Sequence, residues 1–244
     1  MAGEATETVR RCARSSDTVP GLWKGKPMHV GILGGTGPAG RGLAVRLGDA
    51  GVGVTIGSRD GERAAAVAAE LNGTWAGRLG AAVQGADNAA AAASDLVVVA
   101  TPWDSAVPTV RPLAGALSGK VVVSMANALV KEGREMLALV PPRGSVAGAV
   151  QAALPGSLVA AAFHHLPASE MQDLDADLVA DVLVCSDHAS ATEATMALAG
   201  SVDGLRPLDA GSLSQAAAIE AFTAVCITLN IRYRARSTLK LAGL

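Results

Sequence analysis

Aromatic side chains are scarce in this chain: two phenylalanines, one tyrosine and three tryptophans among 244 residues. A core must therefore come mainly from Ala, Val and Leu, and apolar residues make up 50% of the sequence. Cysteine is scarce too. Cys12, Cys185 and Cys226 are scattered, odd in number and without metal-ligand spacing, which speaks against a disulfide framework and fits a reducing cytoplasm. There is no H-x-x-x-H, C-x-x-C or carboxylate cluster to support a metal site. Without a G-x-S-x-G, an acyl-transfer nucleophile has no motif. A net charge of −2 gives no ground for nucleic-acid or membrane binding as a main activity. No uninterrupted apolar span of ~20 residues, as a membrane helix needs, is evident.

The first 27 residues differ from the rest. They are polar, carry Arg10, Arg11 and Arg14, and close on a Pro20-Gly21…Pro27 stretch. No apolar h-region follows the arginines, so the segment reads as a disordered extension and not as a secretory signal. Met28, immediately before the first apolar run, is a candidate start of the native protein.

Against those absences stands one dense stretch, Gly35-Thr36-Gly37-Pro38-Ala39-Gly40. It follows the apolar run His29–Leu33 and precedes the amphipathic Arg41–Leu47, so the order is strand, tight turn, helix. In that context the first glycine permits the turn and the second lets backbone approach a pyrophosphate. The third lets helix pack closely on strand. Pro38 falls in the helix's first turn, where a missing N–H costs nothing, and the helix N-terminus suits an anionic ligand. The second strand, Gly53–Gly57, ends in Ser58-Arg59 where an NAD enzyme usually places an acid for the ribose 2′-OH. A carboxylate would repel a 2′-phosphate, whereas Arg59 can pair with one in a bidentate fork and Arg63, one turn on, adds a second charge. Asp60 reads as the N-cap of a helix over Gly61–Leu71. NADP is favoured over NAD.

Further along, Asp95–Thr101 predicts a buried parallel strand ending in Thr101-Pro102-Trp103, at the crevice where open parallel sheets bind ligands. A strand or short helix is expected near Ala81–Gln84, an alanine-rich helix near Asn88–Ala93, and a broken helix over Asp104–Leu117. Strands follow at Lys120–Met125, Leu158–Phe163, Asp181–Cys185 and Leu205–Leu208, with helices over Leu129–Leu139 and Ala189–Ala199. The alternation predicts an α/β fold: a Rossmann-like doubly wound parallel sheet with a smaller C-terminal α/β portion. Ser214 to about Leu241 reads as one long apolar helix, a candidate for homodimer packing. His164 and His165, adjacent on an extended backbone, are expected to point to opposite sides, with at most one facing the crevice.

Several segments together resemble the NADPH:coenzyme F420 oxidoreductase family, the reductases of 8-hydroxy-5-deazaflavin. They are Val30–Gly37, Ile56–Arg59, Val99–Trp103, Phe163–Pro167 and Asp203–Leu213, so the likeness runs from Met28 almost to the C-terminus. It implies hydride transfer between NADP(H) and coenzyme F420, ring against ring, in a cytoplasmic homodimer. Thr36, Ser58, Arg59 and Arg63 would hold the NADP phosphates and ribose; His164 and the turn Gly211-Ser212-Leu213 would border the deazaflavin. Residues 28–168 would be the NADP-binding domain, and 169–244 would complete the deazaflavin site and the dimer interface. No catalytic acid or base is needed, because both reacting groups belong to cofactors. The chain departs from the pattern at Met125-Ala126-Asn127-Ala128, where relatives often carry a proline-rich segment, and at His165. Lys131, Arg134, Arg143 and Arg206 are the cations available for the deazaflavin's phosphodiester and glutamate tail. Two other functions share the dinucleotide half: an NADP-dependent reductase of a small imine or carbonyl, with His164 or Asp209 as proton donor, and a non-catalytic NADP-binding redox sensor.

Overall fold

A computed structural model describes residues 28–244; the expected extension over residues 1–27, and with it Cys12, lies outside the described residues. The first half runs β1 (His29–Leu33), α1 (Pro38–Asp49), β2 (Gly53–Ser58), α2 (Gly61–Thr74), β3 (Val83–Asp87), α3 (Asn88–Ala92), β4 (Leu96–Val99), α4 (Trp103–Val110), α5 (Ala114–Leu117) and β5 (Val121–Ser124). The second runs β6 (Leu129–Glu132), β7 (Glu135–Ala138), α6 (Val146–Ala153), β8 (Leu158–Ala161), α7 (Ala168–Gln172), β9 (Ala180–Ser186), α8 (Ala189–Gly200), β10 (Leu205–Asp209) and α9 (Ala216–Tyr233).

One eight-stranded sheet has the order β10-β9-β8-β5-β4-β1-β2-β3. Every neighbouring pair is parallel except β8 and β9. Strand alternation sends Val30, Ile32, Leu96 and Val98 to one face, under α1, α2 and α8. Leu33, Val97 and Val99 go to the other, under α3, α4, α6 and the start of α9. With few aromatics to interlock, helices close on the sheet by dispensing with side chains. A Cβ on Gly31 would lie 1.9 Å from the Ala91 carbonyl oxygen, and one on Gly85 2.1 Å from that of Ala64. The doubly wound α/β architecture read from the sequence is the one observed, and β9 and β10 extend the same sheet.

Two expectations about these elements need correcting. The stretch Leu129–Leu139 forms the antiparallel hairpin β6–β7, not a helix. Gly133 takes φ 57° at the first position of the two-residue loop Gly133-Arg134, a conformation that tight hairpins require and that a glycine supplies cheaply. The Met136 N–H then donates to Thr228 Oγ1 of α9 (2.9 Å), so tertiary contact fixes the hairpin.

Helix α9 stops at Tyr233, short of Leu241. Arg234 turns left-handed (φ 51°), and Asn230 Oδ1 accepts from the Ser237 N–H (2.7 Å). The chain then doubles back, with the Asp181 N–H donating to the Leu239 carbonyl (2.8 Å). By length and mean composition the stretch Leu213–Tyr233 could cross a membrane, but it is not an uninterrupted apolar span. Glu220 and Arg232 interrupt it in sequence, and its Ala216, Ile219, Glu220, Thr223 and Ala224 side is packed into the fold.

Candidate dinucleotide crevice

The glycine turn is held from three sides. Gly34, at φ 69°, makes the reversal, and its N–H donates to Asn88 Oδ1 of α3 (3.3 Å). The Gly35 N–H reaches the Ile32 carbonyl (3.1 Å) and the Gly57 carbonyl of β2 (2.9 Å). A Cβ on Gly40 would lie 2.6 Å from Gly35 Cα, so turn and helix interlock there. Gly37 is different: a Cβ there would meet no protein atom nearer than 3.6 Å. The first-turn N–H groups of α1 that follow it, at Ala39 and Gly40, lack intrahelical partners. Thr36 is half-buried, and its carbonyl accepts from Arg41 Nε (3.1 Å). Pro38 opens α1 at the surface.

At the tip of β2, Ser58 is buried and its Oγ accepts from the Asp60 N–H (3.2 Å). Asp60 caps α2 as its position foretold, accepting from the Arg63 N–H (3.1 Å). Arg59 and Arg63 are exposed, and among the described residues neither enters an ion pair. Asp87, beside Ser58 in the ladder, is occupied as the cap of α3.

Between these features and β5 lies a cavity of about 240 Å³. Ala39 forms one side; Ala100, Thr101, Pro102 and Trp103 come from the end of β4, and Met125, Ala126, Asn127 and Leu129 follow β5. Buried beside it, Thr101 Oγ1 and Ser124 Oγ have no hydrogen-bond partner among the described residues. Asn127 is fixed from behind: its Oδ1 accepts from Thr223 Oγ1 of α9 (3.1 Å) and its Nδ2 donates to the His164 carbonyl (3.4 Å). A second, open hollow of about 860 Å³ lies elsewhere, between the β6–β7 hairpin and the end of α9, and its Glu135 and Arg232 are paired with each other.

Both histidines are buried, and they lie in a turn beyond β8 instead of on the extended backbone that was expected. β8 ends at Ala161, and Phe163 adopts φ 67°, costly for a non-glycine residue, so strand alternation no longer governs the residues beyond it. His165 meets the Ile219 carbonyl through Nε2 (2.8 Å) and packs edge-on against Phe222. Among the described residues neither ring nitrogen of His164 has a partner; burial, then the neighbouring His165, pushes its pKa down to about 3, so the ring is neutral.

The glycine turn, the Ser58-Arg59-Arg63 tip and Thr101-Pro102-Trp103 thus share one edge of the sheet, with the His164 backbone behind Asn127. Gly211, Ser212 and Leu213 do not join them within the chain. Because β9 runs antiparallel to β8 and β10 follows β9, the C-terminal end of β10 points away from the crevice edge. There the Gly211 N–H donates to Asp209 Oδ1 (2.8 Å), Ser212 Oγ lies 2.7 Å from Ser214 Oγ, and Leu213 is buried under α9. Arg206 is structural: it grips the buried Asp181 carboxylate with two bonds (2.8 and 2.7 Å). Burial pushes the Cys185 thiol up to about 12, leaving it without nucleophilic character. Among the described residues no three His, Cys, Asp or Glu side chains could hold a metal. Asn88 and the lining after β5 were not singled out as site residues from the sequence. The rule that placed Thr101 at a strand's carboxyl end would have found Met125, Ala126 and Asn127 as well.

A parallel sheet that offers free helix N–H groups beside one strand and two unpaired guanidinium groups at the tip of the next defines a dinucleotide-binding protein of the Rossmann class. Residues 29–128 match the family described as NADP oxidoreductase, coenzyme F420-dependent. The F420-dependent NADP reductase of Methanocaldococcus jannaschii is 36% identical over 215 residues, 86% of this chain and 96% of that protein. The enzyme of that name from Methanothermobacter thermautotrophicus is likewise 36% identical, over 86% of this chain and 92% of its own length. Among solved structures, a protein from Arthrobacter sp. FB24 proposed to be an F420-dependent NADP reductase superimposes with a TM-score of 0.72 at 27% identity, covering 88% of this chain and 99% of that one. The chain belongs to the coenzyme F420-dependent NADP oxidoreductase family.

Proposed function

We propose that this protein is an NADPH-dependent coenzyme F420 reductase. The nicotinamide and the deazaflavin together supply the chemistry, a hydride passed directly from one ring to the other. The observation that carries the reading is the pairing of an open Gly37 face with a β2 tip at which Arg59 and Arg63 are exposed and, among the described residues, outside any ion pair, while the Asp60 and Asp87 carboxylates cap α2 and α3.

The residues fit a dinucleotide. Gly35, Thr36, Gly37, Pro38, Ala39 and Gly40 cradle the pyrophosphate through backbone N–H groups; Ser58, Arg59 and Arg63 hold the 2′-phosphate and ribose. Thr101, Pro102 and Trp103 wall the crevice, and the orphaned Thr101 hydroxyl offers a hydrogen bond to a ligand there. Met125, Ala126 and Leu129 give the apolar surface against which a flat ring can lie and from which water is excluded. His164 borders the deazaflavin side as a neutral, unpartnered ring. Residues 28–168 form the NADP-binding unit and residues 169–244 complete the deazaflavin site. On α9 the exposed Phe222, Val225, Leu229 and Tyr233 recur on one side of the helix and form the contact of a cytoplasmic homodimer.

Reduction of a small imine or carbonyl would require a proton donor beside the nicotinamide. A His164 that stays neutral down to about pH 3 does not serve, and Asp209 ends the strand that points away from the crevice. The test is to mix the protein with NADPH and oxidised coenzyme F420 and follow the deazaflavin absorbance, with NADH as control. Rapid bleaching with NADPH and little with NADH is expected. NADPH binding without bleaching would overturn the reading.

A further inference from the structure

The glycine turn between β1 and α1 has a weak point of its own. Gly37, whose missing Cβ leaves room for a pyrophosphate, also loosens the peptide that precedes it, since glycine tolerates φ of either sign. Pro38 confines the ψ of Gly37 to the extended region, where it stands at 164°, so the loose dihedral is its φ. Rotation there would flip the Thr36–Gly37 peptide and reshape the turn. Two bonds oppose the flip. The Gly37 N–H donates to the Gly34 carbonyl (3.2 Å), and the Thr36 carbonyl accepts from Arg41 Nε (3.1 Å).

The second bond comes from a side chain, and that side chain is held in turn. Arg41 Nη1 lies 3.1 Å from both carboxylate oxygens of Glu70 on α2. The Arg41 side chain is 24% exposed and that of Glu70 60%, so the ion pair by itself contributes little stability. What it does is aim one N–H at one carbonyl of the turn. Glu70 also lies two helical turns from Arg63, on the same exposed side of α2. The clasp therefore joins the helix that carries Arg63 to the glycine turn. We infer that Arg41, aimed by Glu70, is a positioning residue that fixes the Thr36–Gly37 peptide before the dinucleotide arrives, so that binding does not have to order the turn. This rests on the dinucleotide reading above.

Calorimetry on the full chain with NADP⁺ and with 2′-AMP provides the test, because 2′-AMP has a 2′-phosphate for the β2 tip and no pyrophosphate for the turn. Arg41→Gln should weaken NADP⁺ about 3- to 10-fold, one hydrogen bond's worth, and leave 2′-AMP within about twofold of wild type. Arg41→Lys keeps the charge but has a single nitrogen, which cannot hold Thr36 and Glu70 together, so it should lose as much as Arg41→Gln. Glu70→Gln, measured in about 0.3 M salt to screen the deleted charge, should weaken NADP⁺ by less but in the same direction. It keeps the test open should the Arg41 variants fold poorly. Unchanged NADP⁺ affinity in Arg41→Gln would overturn the inference, as would an equal loss for 2′-AMP. So would wild-type affinity in Arg41→Lys or tighter binding in Glu70→Gln, either of which would show that Arg41 acts on the phosphate by its charge. Failure of the wild-type protein to bind NADP⁺ would sink the function itself, a separate outcome.

Discussion

The two ends of the sheet are built on different principles. At the β1–β2 end, position is set by backbone. Gly34, Gly35, Gly37 and Gly40 shape the turn within a few residues, and the tip of β2 carries its charge on exposed side chains that support nothing else. At the β9–β10 end, position is set by distant side chains. Arg206 of β10 holds Asp181 of β9, and the segment that leads into β9 is pinned from outside by Arg46 of α1, which donates to the carbonyls of Glu170 (2.7 Å), Met171 (3.3 Å) and Ala176 (3.0 Å). Glu220 of α9, buried, accepts the N–H groups of Val146 (2.8 Å) and Ala147 (3.0 Å) at the start of α6. The first end can lose a ligand contact without losing the fold. At the second, the polar side chains are themselves the support.

The strongest way to break the contrast uses two glycines of the first end. Gly31→Ala drives a methyl to 1.9 Å from a backbone oxygen of α3, so a stability loss of ~3 kcal/mol or more is expected in urea titration. Gly37→Val, only a few residues on, meets no such wall and should leave the melting temperature in place while abolishing NADPH binding. If both variants merely melt early, the turn is structural and not a cradle.

Arg59→Glu comes next. Reversing a charge at the 2′-phosphate should weaken NADPH by roughly 2–4 kcal/mol, with NADH little changed and stability untouched. An equal loss for both nucleotides would show that Arg59 does not read the phosphate.

The remaining prediction concerns pH and sets Glu220, from the second end, against His164. Burial pushes Glu220 from 4.5 up to about 7, outweighing the two N–H bonds it accepts. An acid raised on folding contributes stability that is complete below pH 4.5 and drains away as pH rises towards 7, by about 3 kcal/mol. His164 works the other way: lowered from 6.5 to about 3, it costs stability as pH falls below 6.5. The two slopes oppose one another between 4.5 and 6.5 and flatten the wild-type curve. Glu220→Gln should unmask a loss in acid, and His164→Phe a loss towards neutrality. Parallel denaturation curves for all three proteins would refute both assignments.

The same contrast explains what could be read in the sequence. The strand-turn-helix around Gly35–Gly40, the Asp60 cap and the crevice place of Thr101 are local matters of spacing, and each was legible. The direction of β9 was not, because a run such as Ala180–Ser186 looks alike whether it pairs parallel or antiparallel. That ambiguity also left open at which edge of the sheet the turn Gly211-Ser212-Leu213 would fall, a turn that only the family resemblance had set beside the deazaflavin. The histidines were read as part of an extended strand because nothing local announces a left-handed Phe163. The hairpin was missed because the contact that decides it, Met136 to Thr228, spans most of the C-terminal half.

The close approaches at Gly31 and Gly85 have a consequence for how such a sequence can drift. A protein rich in small residues looks permissive, since exchanging Ala for Ser or Val at many of its surface positions costs little. Yet its compactness depends on places where there is no atom at all, and the gentlest substitution available, one methyl, is barred there by a carbonyl about 2 Å away. Relatives that diverge almost everywhere should therefore keep these two positions blank, not for the sake of any ligand, but because a helix already stands in the space.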